Sequence, residues 1–83
     1  MNKINKTVEV NAFYFANGKS FKSFPARITL DGQQYAFKSG LQMLVHRGQE
    51  VVRLFNMTDG LTTYRLRQEN NQWTLLGLEP LAF

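Results

Sequence analysis

The chain has 83 residues, no cysteine and a formal net charge of +4, and 43% of its residues are hydrophobic. A chain of this length forms one small domain with a modest core, and the lack of cysteine excludes a disulfide framework and a thiolate metal site. The N-terminal sequence has no signal-peptide core, and no stretch approaches the roughly 20 apolar residues of a membrane helix. We therefore expect one domain at residues 7–83 and a flexible arm at residues 1–6, in a soluble cytoplasmic protein without a membrane partner.

The first strand is predicted at residues 7–15. Apolar residues there come to occupy both alternating sets of positions, which is typical of a strand that is covered on both sides. Asn17 and Gly18 then predict a tight hairpin, in which Phe13 would lie opposite Lys22.

The next two strands are predicted to form a second hairpin. Pro25 has no N–H to donate, so it predicts a bulge or bend in the earlier strand. Asp31 and Gly32 tolerate the positive φ angles of a type I′ turn, which would put Ile28 opposite Tyr35.

The middle of the chain permits two interpretations. Ser39 and Gln42 have the spacing of a capping box and Gly48 suits the position after a helix, which together predict a short helix near residues 40–47. One helix over residues 41–56 is the alternative, because its apolar residues cluster on one helical face. An interior glycine costs a helix about 1 kcal/mol relative to alanine, so we favour the short helix.

Residues 50–78 predict a three-stranded antiparallel meander. Asp59 and Gly60 would form the first two-residue turn, and Asn70 and Asn71 the second. The predicted pairings are Phe55 with Tyr64, Gln68 with Trp73, Leu66 with Leu75, and Tyr64 with Gly77. The predicted core side consists of Val51, Phe55, Met57, Tyr64, Leu66, Trp73 and Leu75.

Together these elements predict a mainly β fold, or β-rich α+β fold. Two three-stranded antiparallel meanders would be joined by the short helix and packed as a small roll or open barrel, because neither could bury its apolar side alone. The long helix would instead give an α+β fold, with one helix on a five-stranded antiparallel sheet.

The sequence contains no pattern that predicts a catalytic, metal or cofactor site. His46 is the single histidine, and no cysteine accompanies it as a zinc ligand. Asp31 and Asp59 are explained by their turns, and the serines and glycines match neither a nucleophile elbow nor a phosphate-binding loop. We therefore predict a small binding module and not an enzyme.

One candidate surface combines the aromatic and basic residues of the first half. Residues 1–38 hold six basic and two acidic side chains, whereas residues 39–83 hold four of each. Aromatic rings beside basic side chains can stack on bases and neutralise phosphates, although these rings could equally belong to the core. The candidate nucleic-acid-binding residues are Phe13, Phe15, Lys19, Lys22, Arg27 and Lys38.

A second candidate surface is the reverse face of the predicted meander. Arg65 and Arg67 lie there between rows of leucine that include Leu54 and Leu76. Arginine among apolar residues is typical of a protein interface, for a partner protein or a second copy of the chain, and an unpaired edge strand would serve the same purpose. The alternative is a solvated face whose arginine stems cover the leucines.

Overall fold

This computed structural model describes residues 2–16 and 22–80 of the chain, with side chains for residues 3–13 and 23–80. The described residues form seven strands and no helix. The strands are β1 (Asn2–Ala16), β2 (Lys22–Leu30), β3 (Gln33–Ala36), β4 (Ser39–Arg47), β5 (Glu50–Thr58), β6 (Thr62–Glu69) and β7 (Gln72–Pro80). They form one antiparallel sheet in the order β3-β2-β1-β7-β6-β5-β4. The prediction of a mainly β protein is confirmed, whereas both predicted helices and the five-stranded alternative were wrong.

The segment predicted as the short helix at 40–47 is strand β4. Leu41, Met43 and Val45 alternate with other side chains at the period of a strand, and the whole segment pairs with β5. Gly48 has a positive φ of 61° and starts the turn between the two strands. Positive φ at the first turn residue is typical of a type II′ hairpin, so the glycine closes a hairpin and does not end a helix.

Strand β1 connects the two halves of the sheet. Its residues 2–8 pair with β7 and its residues 9–16 pair with β2. A bulge at Asn11 lies just after the change of partner, between Val10 and Ala12, which both pair with β2, and the Asn11 side-chain oxygen accepts a hydrogen bond from the Thr29 hydroxyl. Residues 2–6, which we expected to be a flexible arm, therefore lie in the sheet.

The bend predicted near Pro25 is present, but the predicted register of β1 and β2 was wrong. A shift in register leaves Ala26 as an extra residue in β2, and Phe13 pairs with Pro25 rather than with Lys22. Five residues separate the paired Ala16 and Lys22, where we had expected a two-residue turn. The predicted turn residues Asn17 and Gly18 lie outside the described residues.

The hairpin of β2 and β3 has the predicted turn. Asp31 and Gly32 have φ angles of 51° and 79°, as a type I′ turn requires, and Ile28 pairs with Tyr35. The Phe37 N–H continues the ladder with a 2.9 Å hydrogen bond to the Ala26 carbonyl.

The hairpin of β5 and β6 is displaced by two residues from its predicted register. The Asp59 carboxylate accepts hydrogen bonds from the N–H groups of Leu61 and Thr62, both at 2.9 Å, which lengthens the turn and lowers the pKa of this carboxyl below its usual range. Met57 therefore faces Tyr64, which we had placed opposite Phe55. An even shift keeps every side chain on its predicted face, because strand side chains alternate with a period of two.

The hairpin of β6 and β7 confirms the predicted pair of Gln68 with Trp73, across a type I′ turn at Asn70 and Asn71. A bulge at Leu76 then shifts the register. The prediction that Tyr64 faces Gly77 was wrong for this reason: Tyr64 faces Leu78, and Gly77 faces Arg65.

Curling of the sheet encloses the core. The rings of Tyr35 and Phe37 lie 5.6 and 5.0 Å from the ring of Tyr64, and the Phe24 ring lies 6.1 Å from that of Phe55, although their strands are not neighbours in the sheet. The buried cluster consists of Val8, Phe24, Ile28, Phe37, Phe55, Met57, Tyr64, Leu66, Trp73 and Leu75. Val51 was wrongly predicted to belong to it and is 47% exposed, because it lies beyond the last residue pair of β5 and β6.

We expect Gly40→Ala to destabilise the fold by about 1–3 kcal/mol, the usual range for overpacking a filled core. A Cβ atom at Gly40 would overlap the Met57 thioether and lie 2.8 Å from the Asn56 carbonyl oxygen. Denaturant unfolding measures the change, and Ser39→Ala at the exposed neighbouring position is the control. Equal stability of the two variants would contradict the close packing of β4 on Met57.

We also expect Tyr64 to make stability depend on alkaline pH. Burial, and then the Asp59 carboxylate that accepts the phenol hydrogen bond at 3.2 Å, raise the pKa of Tyr64 to about 12. An unfolded chain loses this proton near pH 10, so the stability that Tyr64 adds is complete below that pH and is lost as the pH rises to about 12.

The measurement is the difference in unfolding free energy between the native chain and Tyr64→Phe, obtained from denaturant curves at successive pH values. This difference should shrink between about pH 10 and pH 12 in favour of the variant. A difference that stays constant over that range would show that the phenol is not held in its protonated form.

Candidate functional site at the edge strand β4

The described sheet has two edges, β3 and β4, and they differ in length. Strand β3 has four residues, whereas β4 has nine. A short edge strand offers few unpaired main-chain groups, and natural proteins use shortness to protect their edges. Since no strand in the described ranges pairs with the outer side of β4, this is the longer open edge.

Alternate residues of β4 direct their main-chain groups to the open edge. Across a two-residue turn, Arg47 and Glu50 form a hydrogen-bonded pair, so the odd-numbered residues of β4 bond to β5. The 3.4 Å hydrogen bond from the Asp59 N–H to the Thr62 carbonyl supports this assignment. It indicates that the odd-numbered residues of β5 bond to β6, so the even-numbered residues of β5 bond to the odd-numbered residues of β4. The residues whose N–H and C=O groups point outward are therefore Gly40, Gln42, Leu44 and His46.

The hairpin of β4 and β5 also carries most of the exposed apolar side chains. Five of the seven large apolar residues that are exposed in the described part of the chain belong to it, with exposures of 38 to 70%. These five residues are Leu41, Met43, Leu44, Val45 and Val51. Residues 39–45 contain neither proline nor a charged side chain, the two devices that commonly block strand addition at an edge.

The apolar residues of β4 continue into the surface predicted from the second half of the sequence. We call reverse face the side of β4, β5 and β6 that is turned away from the core; its residues include Leu41, Met43, Val45, Val52, Leu54, Arg65 and Arg67. Met43 pairs with Leu54, and Leu54 with Arg67, so one row crosses all three strands. The predicted interface residues Leu54, Arg65, Arg67 and Leu76 are all half-buried, and Leu76 lies apart from the row in the bulge of β7.

The two arginines of β6 on the reverse face have local partners. Arg65 donates a 3.0 Å hydrogen bond from Nε to the Asn56 side-chain oxygen. Glu69 receives Arg47 at 3.0 Å and Arg67 at 3.7 Å. These exposed ion pairs contribute at most about 1 kcal/mol each, but they draw the charged groups away from the apolar row.

Val52 shows how the arginines cover apolar surface. It lies on the reverse face and yet is only 4% exposed. Arg47 and Glu69 stand on the strands to either side of β5, so their ion pair crosses β5 on the face that carries Val52. At this end of the hairpin a long basic side chain covers an apolar neighbour, although the arginine is Arg47 and not one of the two arginines that the sequence placed on this face.

Phe13 and Lys38, two of the predicted nucleic-acid-binding residues, lie at different ends of the sheet. Phe13 is 48% exposed, and its ring lies 6.0 Å from that of Trp73, which pairs with Gln68. Lys38 donates its N–H to the Thr58 carbonyl at 2.8 Å, beside the turn at Asp59. Thr58 pairs with Thr63, which lies five residues, or roughly 17 Å, from Gln68 along β6. The two candidate residues are therefore not brought together.

Of the remaining basic and aromatic candidates, the structure describes the side chain of Arg27 alone. Arg27 is exposed and follows the alternation of β2 next to the buried Ile28. The side chains of Phe15, Lys19 and Lys22 lie outside the described residues.

The described residues hold no group of three or more histidine, aspartate or glutamate side chains able to bind a metal ion. The described strands are accompanied by no apolar helix of membrane-crossing length. A groove of about 500 Å³ runs beside the start of β4, and its lining includes Ser39, Leu41 and Thr63. The groove lies on the reverse face, next to the open edge of β4.

Comparison with models of known protein families, with curated proteins and with solved structures finds no match to this chain. Sequence reasoning missed Leu41, Met43 and Val45 as surface residues because it placed them on a helix, although their alternate spacing was the signal for a strand.

We expect the alternation of main-chain groups to show in two proline variants. Gln42→Pro removes an N–H that points outward, whereas Met43→Pro removes one that bonds to β5. Met43→Pro should therefore cost about 1–3 kcal/mol of stability more than Gln42→Pro, because it leaves a carbonyl of β5 without its donor. Denaturant unfolding measures both, and the reverse order would contradict the hydrogen-bond pattern assigned to β4.

Proposed function

We propose that this domain is a non-enzymatic protein-interaction module, which binds an extended segment of its partner as an additional strand at β4. The observation that carries the proposal is the open edge of β4, nine residues long, unprotected by proline or charge over residues 39–45 and flanked by exposed apolar side chains. Strand addition to an open sheet edge is a recurring mode of peptide recognition.

Main-chain hydrogen bonds would supply the binding energy. Gly40, Gln42, Leu44 and His46 each offer one N–H and one C=O. Each new hydrogen bond contributes about 1 kcal/mol net, because both groups exchange a bond to water for the bond to the partner. A partner segment must therefore be extended and free to pair over several residues.

Side chains beside the edge would supply the specificity. Leu41, Met43 and Val45 line the reverse face of β4, and Leu44 lies on the other face. An incoming strand that presents apolar residues at alternate positions would pair with the first three across the new ladder. A strand with charges at those positions would lose their hydration without gaining an ion pair, since residues 39–45 carry no charge.

Nucleic acid binding is a weaker proposal for this chain. The basic excess of the first half and the half-exposed Phe13 support it. The separation of Phe13 from Lys38 argues against one combined stacking and phosphate site, since stacking rings and phosphate contacts must lie along one strand. A labelled single-stranded oligonucleotide, tested at low and at moderate salt, belongs in the same binding experiment.

The test uses the full chain and a panel of labelled extended peptides with alternating apolar residues, followed by fluorescence anisotropy. We expect binding by the native chain and a loss of at least about tenfold in Gln42→Pro, because one donor is removed and the proline ring lies in the path of the incoming strand. Gln34→Pro is the matched control. Its N–H also points outward, but at the short edge strand β3.

Two outcomes would overturn the proposal. One is that no peptide of the panel binds, while the oligonucleotide binds at moderate salt. The other is that Gln34→Pro and Gln42→Pro weaken peptide binding equally, since only the second substitution alters the β4 edge.

A further inference from the structure

We propose that the segment bound at this edge is β4 of a second copy of the chain, so that two copies pair their β4 strands antiparallel about a two-fold axis at Met43. This inference rests on the proposed function of the β4 edge and names its partner. It follows from three properties of β4: the alternation of its main-chain groups, the order of its side chains and the position of its charges.

The main-chain groups fit this arrangement. With Met43 opposite the partner's Met43, Gln42 lies opposite the partner's Leu44, and Gly40 lies opposite the partner's His46. All of these residues direct their N–H and C=O groups outward, so each pairing exchanges two hydrogen bonds. By symmetry the four outward residues of one copy give about eight hydrogen bonds between the chains.

The side chains on the reverse face fit as well. Leu41 lies opposite the partner's Val45, and Val45 opposite the partner's Leu41, on either side of the two Met43 residues. These are non-hydrogen-bonded pairs, in which the Cα atoms approach to about 4.5 Å and the side chains lie closest. The six apolar side chains form one stripe, which continues into Leu54 of each copy.

Charge separates this register from its neighbours. A shift by two residues in one direction sets Leu41 opposite the partner's Arg47. The opposite shift sets Arg47 opposite the partner's Phe37, an apolar residue that precedes β4. In the proposed register Arg47 lies opposite the partner's Ser39 and keeps its ion pair with Glu69, so no charge faces an apolar side chain or a like charge.

Dimer formation covers the long edge β4 and leaves the short edge β3 open. Pairing of β4 with the partner's β4 uses the same surface on both chains, as a two-fold interface requires. The edges that stay open are the two β3 strands, of four residues each. Since short edges resist further pairing, the assembly closes at a dimer and does not grow into a fibre.

The first experiment measures the mass of the full chain by analytical ultracentrifugation over a concentration series. We expect a dimer that dissociates on dilution, a shift towards monomer of at least about tenfold in dissociation constant for Gln42→Pro, and no shift for Gln34→Pro. A dimer that is lost in Gln34→Pro and kept in Gln42→Pro would overturn the proposal, because β3 would then be the interface.

The second experiment tests the register by single cysteines, which the chain lacks. Two-fold pairing at Met43 brings the Cα atoms of Met43→Cys within the 4.4–6.8 Å range of a disulfide, so mild oxidation should cross-link this variant. Leu41→Cys is the matched control on the same face of β4. Its two cysteines would lie roughly 13 Å apart, beyond the reach of a disulfide. Cross-linking of Leu41→Cys in preference to Met43→Cys would overturn the register.

The outcomes also separate this inference from the proposed function. A chain that is monomeric at every concentration, but binds the extended peptides at an edge sensitive to Gln42→Pro, overturns the dimer and leaves the interaction module in place. A monomeric chain that binds no peptide overturns both.

Discussion

Strand β1 hydrogen-bonds to β7 along its first half and to β2 along its second, and no other described strand connects the two halves of the sheet. The pairing changes between Val8 and Glu9, and the bulge at Asn11 follows two residues later, within the pairing with β2. Because bulges increase the bend and twist of a strand, this position allows the sheet to curl. The curl brings Tyr35 and Phe37 against Tyr64, and these aromatic contacts fill the core. The pairing of β1 with both β7 and β2 also leaves β3 and β4 as the two edges of the described sheet.

Local turn chemistry was the most predictable part of the fold. Asp31-Gly32 and Asn70-Asn71 adopt the positive φ angles that their residue types favour, and the pairings near those turns follow directly. Register was lost where an extra residue enters a strand, as at Leu76, because a bulge depends on packing against neighbouring strands. At Asp59 the side chain bonds to two main-chain N–H groups and lengthens a turn that the Asp-Gly pair alone would have made shorter.

The helix predicted at residues 40–47 shows a different limit. A short apolar run such as Leu41 to Val45 satisfies the spacing of a helix and of a strand, and only pairing with β5 decides between them. The candidate site was affected in the same way. Leu54, Arg65 and Arg67 could be assigned to one face from their alternation, whereas the open edge beside them follows from the order of all seven strands. That order is a tertiary property, which the pattern of one segment does not contain.

The central position of β1 beside β7 has a consequence for how the chain folds. Asn2 pairs with Leu78, 76 residues later, and Val8 pairs with Trp73, 65 residues later, whereas the other strand pairs join neighbours along the chain. Closing so long a loop carries a larger entropy loss than closing a hairpin, so we expect the seam between β1 and β7 to form last. Until it forms, a partly folded chain has unpaired edges in the middle of its future sheet as well as at β4. Its tendency to pair with other chains should therefore be greatest before folding is complete.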